Sequence, residues 1–491
     1  MGKTLLLSLS LTLLLLFHGS LAYRKNQQQQ LQNECQIDRL DALEPSNRVE
    51  SEAGVVETWD PNDEQFQCSG VAIVRETIQP NGLVLPYSSN APTLVYIVKG
   101  TGLTSTAVPG CPETFQSPQG EFHRGGQQRG SSQDRHQKVE RFKEGDLLVL
   151  PAGMAHWCYN DGDTPVVAVS FIHVKNDANQ LDTSPREFYL AGNPQDPFQQ
   201  QQQQRQPLWR TRGKGQQQRE QQQQSSCNNM FCGFDSQLLA QALNVDQSLI
   251  ERIQDDNDDR GAIVKVKGDL QVIRPPMSRR QEESETEYES ESQSQREGGR
   301  NGIEETFCTM KLKQNIGDPS RADVYTPGVG GLITANRGTL RVLDMYQLSF
   351  EKGKLQNEAV MTPHWNVNAH SIMYALRGKA FVQIVDNNGD SVFEGEFKEG
   401  QVLTIPQNFA VVIKARGQNF DWVAMKTNND AMISPLSGRT SALMAMPEDV
   451  LSNAFGISRQ EVRSLKFNNQ QQTTFSSGRS SGGDMDNKAV A

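Results

Sequence analysis

The chain repeats itself, and this repeat limits the possible folds more than any other feature of the sequence. Residues 93–102 read TLVYIVKGTG and residues 371–380 read SIMYALRGKA, while residues 143–153 read KEGDLLVLPAG and residues 398–408 read KEGQVLTIPQN. Each segment is short, apolar and rich in β-branched residues, and it runs into a Gly or a Pro, which is typical of strands that end in turns. The sequence therefore predicts two equivalent, strand-rich halves.

A third pair of matching segments predicts helices after each strand-rich half. Residues 239–253 (LAQALNVDQSLIERI) and residues 451–465 (LSNAFGISRQEVRSL) carry apolar residues at the same helical spacings. The matched positions are Leu239, Ala242, Val245, Ile250 and Ile253 in the first segment and Leu451, Ala454, Ile457, Val462 and Leu465 in the second. Asp246 and Ser458 lie at expected N-caps, and Glu461 completes a capping box with Ser458. These apolar faces could pack on the core or contact another subunit, and the pattern alone favours the core.

The length of 491 residues favours two or more domains, at roughly 150 residues per domain. We predict a mainly β protein with two jelly-roll β-barrel domains, each followed by a helical extension. The first domain is expected at about residues 35–260 and the second at about residues 308–467.

The N-terminus predicts entry into the secretory pathway. Lys3, an apolar run over residues 5–17 and the small residues Ser20 and Ala22 form a signal peptide over residues 1–22, so the mature chain is expected to begin at Tyr23. The alternative is a membrane anchor, but the run is shorter than the roughly 20 residues that a membrane span needs. We therefore expect no membrane association of the mature chain.

The secretory route is oxidising, which makes disulfides the expected state of most cysteines. The chain has Cys35, Cys68, Cys111, Cys158, Cys227, Cys232 and Cys308. An odd number leaves at least one thiol unpaired unless chains pair with each other, and the spacing alone leaves the connectivity open.

Two kinds of polar segment interrupt the repeat. Glutamine tracts at residues 27–30, 199–204, 216–218 and 221–224, and an acidic segment at residues 281–302, hold too few apolar residues to bury a core, so they are predicted to be disordered. The acidic segment ends in Gly-Gly-Arg-Asn-Gly. It is either a solvated stretch of one chain or a joint that a protease can reach.

The charge is distributed unevenly about this segment. The chain has a net charge of −10, whereas the residues from Gly302 onward contain 19 Lys or Arg and 19 Asp or Glu, so the negative excess lies upstream. A net negative chain disfavours nucleic acid as a partner.

The repeats resemble the cupin superfamily, whose motifs are G-x5-H-x-H-x3-4-E-x6-G and G-x5-P-x-G-x2-H-x3-N. In cupin enzymes three histidines and a glutamate hold a transition metal and leave positions open for substrate. Residues 145–160 match the second motif in full and include His156. The histidine and glutamate places of the first motif, however, hold Pro86, Ser88 and Thr93.

The second half also keeps one histidine of the cupin set. His364 lies in a histidine place, whereas Asn366, Ser371 and Val411 occupy the other three ligand places. We therefore predict that neither half holds a metal or another cofactor. His156 and His364 are expected to be hydrogen-bonded residues within or at the mouth of each barrel.

Residues 301–311, NGIEETFCTMK, resemble the boundary signature of legumin-type 11S seed storage globulins, in which an asparaginyl endopeptidase cuts between the Asn and the Gly. The resemblance covers nearly the whole mature chain. It implies a cut between Asn301 and Gly302 that produces an acidic chain, residues 23–301, and a basic chain, residues 302–491, with a flexible C-terminal tail.

The same resemblance implies two disulfides, Cys35 with Cys68 inside the acidic chain and Cys111 with Cys308 across the cut. It leaves Cys158, Cys227 and Cys232 unassigned. Cys158 follows Trp157 on a strand that is predicted to be buried, and this position favours a free thiol.

The resemblance implies a seed storage protein, a nutrient reservoir without enzymatic activity. Precursors would form trimers in the endoplasmic reticulum, and cut trimers would stack into hexamers in the protein storage vacuole, with the helix pairs between subunits. Many members of the family are food allergens. Two other functions stay open: a metal-dependent cupin oxidase or isomerase, which metal analysis would reveal, and a barrel that binds a sugar or a small apolar ligand, which native mass spectrometry would detect.

Overall fold

Apolar, β-branched segments form antiparallel strands in both halves of the chain. The computed structural model describes residues 35, 37–113, 115–116, 135–198, 227–255, 257–268, 270, 272, 308–468 and 474–476. The predicted signal cleavage at Ala22 and Tyr23, the joint at Asn301 and Gly302, the glutamine tracts and the C-terminal tail lie outside the described residues.

The first half forms a barrel from two facing sheets. Its strands are β1 (Asn47–Ser51), β2 (Gly54–Thr58), β3 (Val71–Ile78), β4 (Gly82–Ser89), β5 (Thr93–Lys99), β6 (Thr101–Ala107), β7 (Phe115–Gln116), β8 (Arg135–His136), β9 (Glu140–Lys143), β10 (Asp146–Leu150), β11 (Ala155–Tyr159), β12 (Val166–His173), β13 (Glu187–Tyr189) and β14 (Ile263–Lys265). One sheet has the order β1-β2-β3-β12-β5-β10, the other has the order β13-β4-β11-β6-β9 with β14 beside β4, and β7 and β8 pair separately. Apolar side chains from both sheets, such as Val74 and Val84, fill the space between them.

The second half repeats this arrangement. Its strands are β15 (Lys313–Asn315), β16 (Val324–Thr326), β17 (Gly330–Ala335), β18 (Ser349–Leu355), β19 (Val360–Asn366), β20 (Ser371–Arg377), β21 (Lys379–Val385), β22 (Ser391–Lys398), β23 (Val402–Ile405), β24 (Ala410–Ala415), β25 (Phe420–Lys426), β26 (Ile433–Pro435) and β27 (Phe475–Ser476). The sheets are β16-β17-β18-β25-β20-β23 and β22-β21-β24-β19-β26, with β27 beside β19. The predicted mainly β fold with two jelly-roll barrels is confirmed.

The helices are α1 (Glu64–Ser69), α2 (Ser236–Leu243), α3 (Gln247–Ile253), α4 (Val342–Tyr346), α5 (Ala442–Ala445), α6 (Glu448–Phe455) and α7 (Arg459–Phe467). The pairs α2–α3 and α6–α7 are the helices that the sequence predicts, whereas α1 and α4 lie between strands of the barrels. The side chain of Asp246 caps α3 by accepting a hydrogen bond from the backbone of Ser248. Ser458 and Glu461 form the predicted capping box at the start of α7. Both caps satisfy backbone N–H groups that the first helical turn leaves without a partner.

The two barrels share a buried apolar cluster. Trp59 lies edge-on to Tyr374, with ring centroids 6.2 Å apart, and Phe171 lies edge-on to Phe350 at 5.4 Å. Arg75 reaches across the boundary and donates to the Tyr374 hydroxyl at 3.2 Å. Aromatic pairs of this kind bury large apolar areas, so the two barrels stabilise each other.

Each half also supplies main chain to the other half's barrel. Residues 37–43 cross the second barrel, where Leu40 donates to the Val392 carbonyl and Leu43 to the Val402 carbonyl, both at 2.8 Å. In the other direction β15 pairs with β10 and extends the first barrel's sheet to seven strands. The segment after residue 308, assigned from sequence to the second domain, therefore adds a strand to the first.

The structure contains the two disulfides that the resemblance implies, Cys35 with Cys68 and Cys111 with Cys308. A third disulfide joins Cys227 to Cys232, which the sequence left open. Cys158 is the one free cysteine. Because Cys111 and Cys308 lie on opposite sides of Asn301 in the sequence, their disulfide would link the two products of a cut there.

We expect the cut chains to stay together without the Cys111 disulfide. In Cys111→Ser protein cut after Asn301, the shared apolar cluster and the exchanged strands remain, so the two chains should elute as one species on size exclusion in native buffer. On a denaturing, non-reducing gel the same chains should separate, whereas wild-type chains stay linked. Two separate peaks in native buffer would show that the shared apolar cluster and the strands exchanged between the halves do not hold the cut chains together.

Candidate functional site

His156, the cupin-motif histidine of the first barrel, lies on β11 and faces the interior. Its ring centroid is 4.2 Å from that of Tyr87, and its side chain is 6% exposed. Neither ring nitrogen has a hydrogen-bond partner of normal geometry among the described residues. Burial lowers the pKa of His156 to about 4, against a partly opposing effect of the Met154 backbone, so the ring is neutral at neutral pH. The prediction of a hydrogen-bonded residue is not confirmed for His156, because neither ring nitrogen meets a partner at normal hydrogen-bond geometry among the described residues.

Two carboxyl groups face the same interior. Glu76 on β3 lies between the inward-facing Val74 and Ile78, and Glu187 on β13 accepts a hydrogen bond from the Tyr189 hydroxyl at 2.8 Å. Burial raises the pKa of Glu76 to about 7. Burial, together with the nearby Glu76, raises the pKa of Glu187 to about 8. Motif matching did not find these residues, although a charge between the apolar, inward-facing Val74 and Ile78 was a visible signal for Glu76.

Replacing Glu76 with glutamine should change how stability depends on pH. The pKa of this carboxyl group is 4.5 in the unfolded chain and about 7 in the folded one. The protonated group therefore stabilises the fold at low pH, and this stabilisation is lost as the pH rises to about 7. At pH 8, Glu76→Gln should raise the free energy of unfolding by up to about 3 kcal/mol. At pH 4 the same substitution should change the free energy of unfolding little.

Urea unfolding at both pH values measures this difference, and the exposed Glu394→Gln is the control. Equal pH dependence in Glu76→Gln and wild-type protein would show that Glu76 does not carry the effect.

The second barrel holds an ion pair near its cupin-motif histidine. The buried Lys426 ammonium lies 3.4 Å from a Glu351 carboxylate oxygen and donates to the Asn366 side chain at 3.0 Å. Trp422 donates to Glu351 at 3.3 Å. His364 is buried, and its Nδ1 donates to the Thr362 carbonyl at 2.9 Å, which confirms the prediction of a hydrogen-bonded residue for this histidine. Burial lowers the pKa of His364 to about 4.

The residues of neither barrel fit a cupin metal ion. Each barrel retains one histidine of the four-residue set, and in the second barrel a lysine ammonium lies close enough to lower the pKa of His364. Among the described residues, one group of three potential ligands has its donor atoms within 4.8 Å of one another: Cys35, Cys68 and His370. Two of these three are joined in a disulfide, so this group offers no metal shell either.

The helices expose an apolar surface instead of burying it. We call the following residues the helical surface: Leu238, Leu243, Val245 and Leu249 on or between α2 and α3, and Val450, Phe455, Leu465 and Phe467 on α6 and α7. Phe455 is 56% exposed and Leu238 is 62% exposed. Clustered apolar side chains on the surface of one chain mark a protein interface.

The interpretation of these helical stripes as core is therefore wrong for part of each stripe. Ile250, Leu451 and Val462 are buried, whereas Val245 and Leu465 are exposed. None of the described helices is both long and apolar enough to cross a membrane.

Comparisons with known proteins agree with this arrangement. The family model for cupin matches residues 40–196 and 314–463. The chain is 57% identical to an 11S globulin seed storage protein of Anacardium occidentale, over 96% of this chain and 98% of the relative. It is 56% identical to an 11S globulin of Juglans nigra, over 96% of each. The chain belongs to the 11S seed storage globulins of the cupin superfamily.

The solved structures extend this likeness to three dimensions. The recombinant pro-11S globulin of pumpkin superposes on this globulin with a TM-score of 0.75 and 39% identity, over 91% of this chain and all of the other. The family that the NGIEE joint and the cupin repeats predicted is thereby confirmed.

Proposed function

We propose that this globulin is a seed storage protein, a reserve of nitrogen and amino acids that functions by accumulating and by being digested. The observation that carries the proposal is 57% identity, over almost the full length of both chains, to a protein named as a seed storage globulin. The barrel interiors support it, because neither retains the ligand set that cupin enzymes use. In this proposal the globulin catalyses no reaction and needs no cofactor.

Assembly follows from the helical surface. A single chain exposes apolar residues on both helix pairs, and a closed ring of chains would bury the first pair of one subunit against the second pair of the next. We propose a trimer of precursors that becomes a hexamer of two stacked trimers after cutting. The similarity to a pro-11S globulin of pumpkin supports a precursor stage.

Processing and location belong to the same proposal. Signal peptidase would cut between Ala22 and Tyr23 on entry to the endoplasmic reticulum. An asparaginyl endopeptidase would later cut between Asn301 and Gly302. The product would be stored in the protein storage vacuole of the seed.

The joint gives the proposal a direct test. Protein from mature seed should run as one band on a non-reducing gel and as two bands after reduction, and the smaller band should begin at Gly302. A single band after reduction would contradict the processing step.

Replacing Asn301 with alanine should leave the precursor uncut and arrested as a trimer. The proposed protease needs the Asn301 side chain at the cut, whereas Asn387→Ala, in an exposed turn, should be processed normally. Size exclusion with light scattering measures the assembly state. Hexamers formed by uncut Asn301→Ala protein would contradict the order of cutting and stacking.

A further inference from the structure

The first barrel encloses two carboxyl groups that no described basic side chain balances. Glu76 makes no hydrogen bond or ion pair among the described residues, and burial alone accounts for its raised pKa. Glu187 accepts one hydrogen bond, from Tyr189, and its raised pKa has no Lys or Arg among its causes. Buried carboxyl groups are normally paired or neutral, so these two carry protons near neutral pH.

The walls around these carboxyl groups are aromatic and polar. Tyr87 lies between His156 and Tyr189, with ring centroids 4.2 Å and 5.2 Å away. Neither nitrogen of His156 has a partner at normal hydrogen-bond geometry in the described part of the chain, although the residue is only 6% exposed. Glu76 and Glu187 face inward, and both residues remain partly accessible to solvent.

In the second barrel, the side chain of Lys426 places an ammonium group in the interior. Lys426 contacts Glu351 and Asn366, and its charge and that of Glu351 act in opposite senses on the pKa of His364. Lys426 lies opposite Ser371 in the sheet. At the matching place of the first barrel, Ile172 lies opposite Thr93. Among its described residues, the first barrel therefore has acidic groups and a cupin histidine but no lysine at the place of Lys426.

We propose that the interior of the first barrel binds the ammonium group of a small primary alkylamine. Glu76 and Glu187 supply the counter-charges, the Tyr87 and Tyr189 rings contact the cationic head and its carbon chain, and a His156 nitrogen accepts a hydrogen bond. An anion would meet two carboxyl groups and no cation. A metal ion would need converging donor atoms, and the group of three that converges among the described residues is the one at Cys35. This binding goes beyond storage, because a reserve of amino acids does not require it.

Binding should depend on pH through the two carboxyl groups. Four other titratable groups near them stay neutral, since burial lowers the pKa of His156 and raises the pKa of Tyr87, Tyr189 and Cys158. Asp196 also acts on Glu187 and helps to raise its pKa. Below about 7 the amine must displace a proton from Glu76, so affinity should be higher at pH 8 than at pH 5.

Isothermal titration calorimetry of the full-length protein with n-propylammonium chloride tests the site. We expect one binding site per chain at pH 8 and release of protons at pH 6, measured in two buffers of different ionisation enthalpy. Propan-1-ol, which has the same shape without the charge, should not bind. Glu76→Gln should weaken binding at least about thirtyfold, and the exposed Glu394→Gln should leave it unchanged.

Near-UV circular dichroism shows whether Glu76→Gln is folded, and Glu187→Gln takes its place if it is not. The proposal fails if n-propylammonium gives no binding heat at pH 8, if propan-1-ol binds equally well, or if folded Glu76→Gln and Glu187→Gln proteins bind like wild type. Tight binding of Zn²⁺ alone that is lost in His156→Ala would assign the site to a metal ion and overturn it.

Discussion

Aspartate at Phe455 and Leu465 should convert the assembled globulin into single chains. Both side chains are large, apolar and exposed on the helical surface, at 56% and 49%. Burial of each in a subunit contact contributes about 1.5 to 3 kcal/mol, and a closed trimer would contain every such contact three times. The aspartates remove this contribution and would also bury unpaired charges, so we expect a loss of trimer at micromolar concentration.

Size exclusion with multi-angle light scattering measures this loss directly. Gln460→Asp, at an exposed polar position of α7, is the matched control and should assemble like wild type. Circular dichroism should show the same strand content in all three proteins. A Phe455→Asp, Leu465→Asp protein that co-elutes with the wild-type oligomer would exclude the helical surface as the subunit contact.

Removal of Lys426 should destabilise the second barrel more than removal of a typical buried residue. In Lys426→Met the Glu351 carboxylate loses its ion-pair partner while remaining enclosed, and such uncompensated charges cost about 3 to 5 kcal/mol. In the double variant Lys426→Met, Glu351→Gln the charge is gone, and the glutamine carbonyl can still accept from Trp422. We expect the double variant to recover most of the lost stability.

Urea unfolding, followed by tryptophan fluorescence, compares the three proteins. The signature of a buried charge is that the second substitution restores stability. A single variant as stable as wild type, or a double variant as unstable as the single one, would contradict the claim that the unpaired Glu351 carboxylate causes the loss of stability.

Local patterns in the sequence predicted much of the fold. Strand segments such as KEGDLLVLPAG, the capping box of Ser458 and Glu461, and the degenerate motifs around His156 and His364 are set by residues close together in the chain. The alternation of apolar residues, helix capping and turn formation each depend on a few neighbouring residues, so they can be predicted from the sequence. The family resemblance extended this to the two disulfides of Cys111 and Cys35.

Contacts between distant residues were not predictable in this way. Glu351 and Lys426 are unremarkable charged residues until two strands bring them together, and β15 gives no local sign that it joins the first barrel. The helical stripes were misassigned in part for the same reason. An apolar face has one pattern whether it meets a core, as at Val462, or another chain, as at Leu465.

The central claim is that this globulin is itself the stored material. Its amount per seed, measured by quantitative mass spectrometry of peptides from both sides of Asn301, should rise during maturation and fall to a small fraction after germination begins. A level that stays constant while the seedling consumes its reserves would contradict the claim.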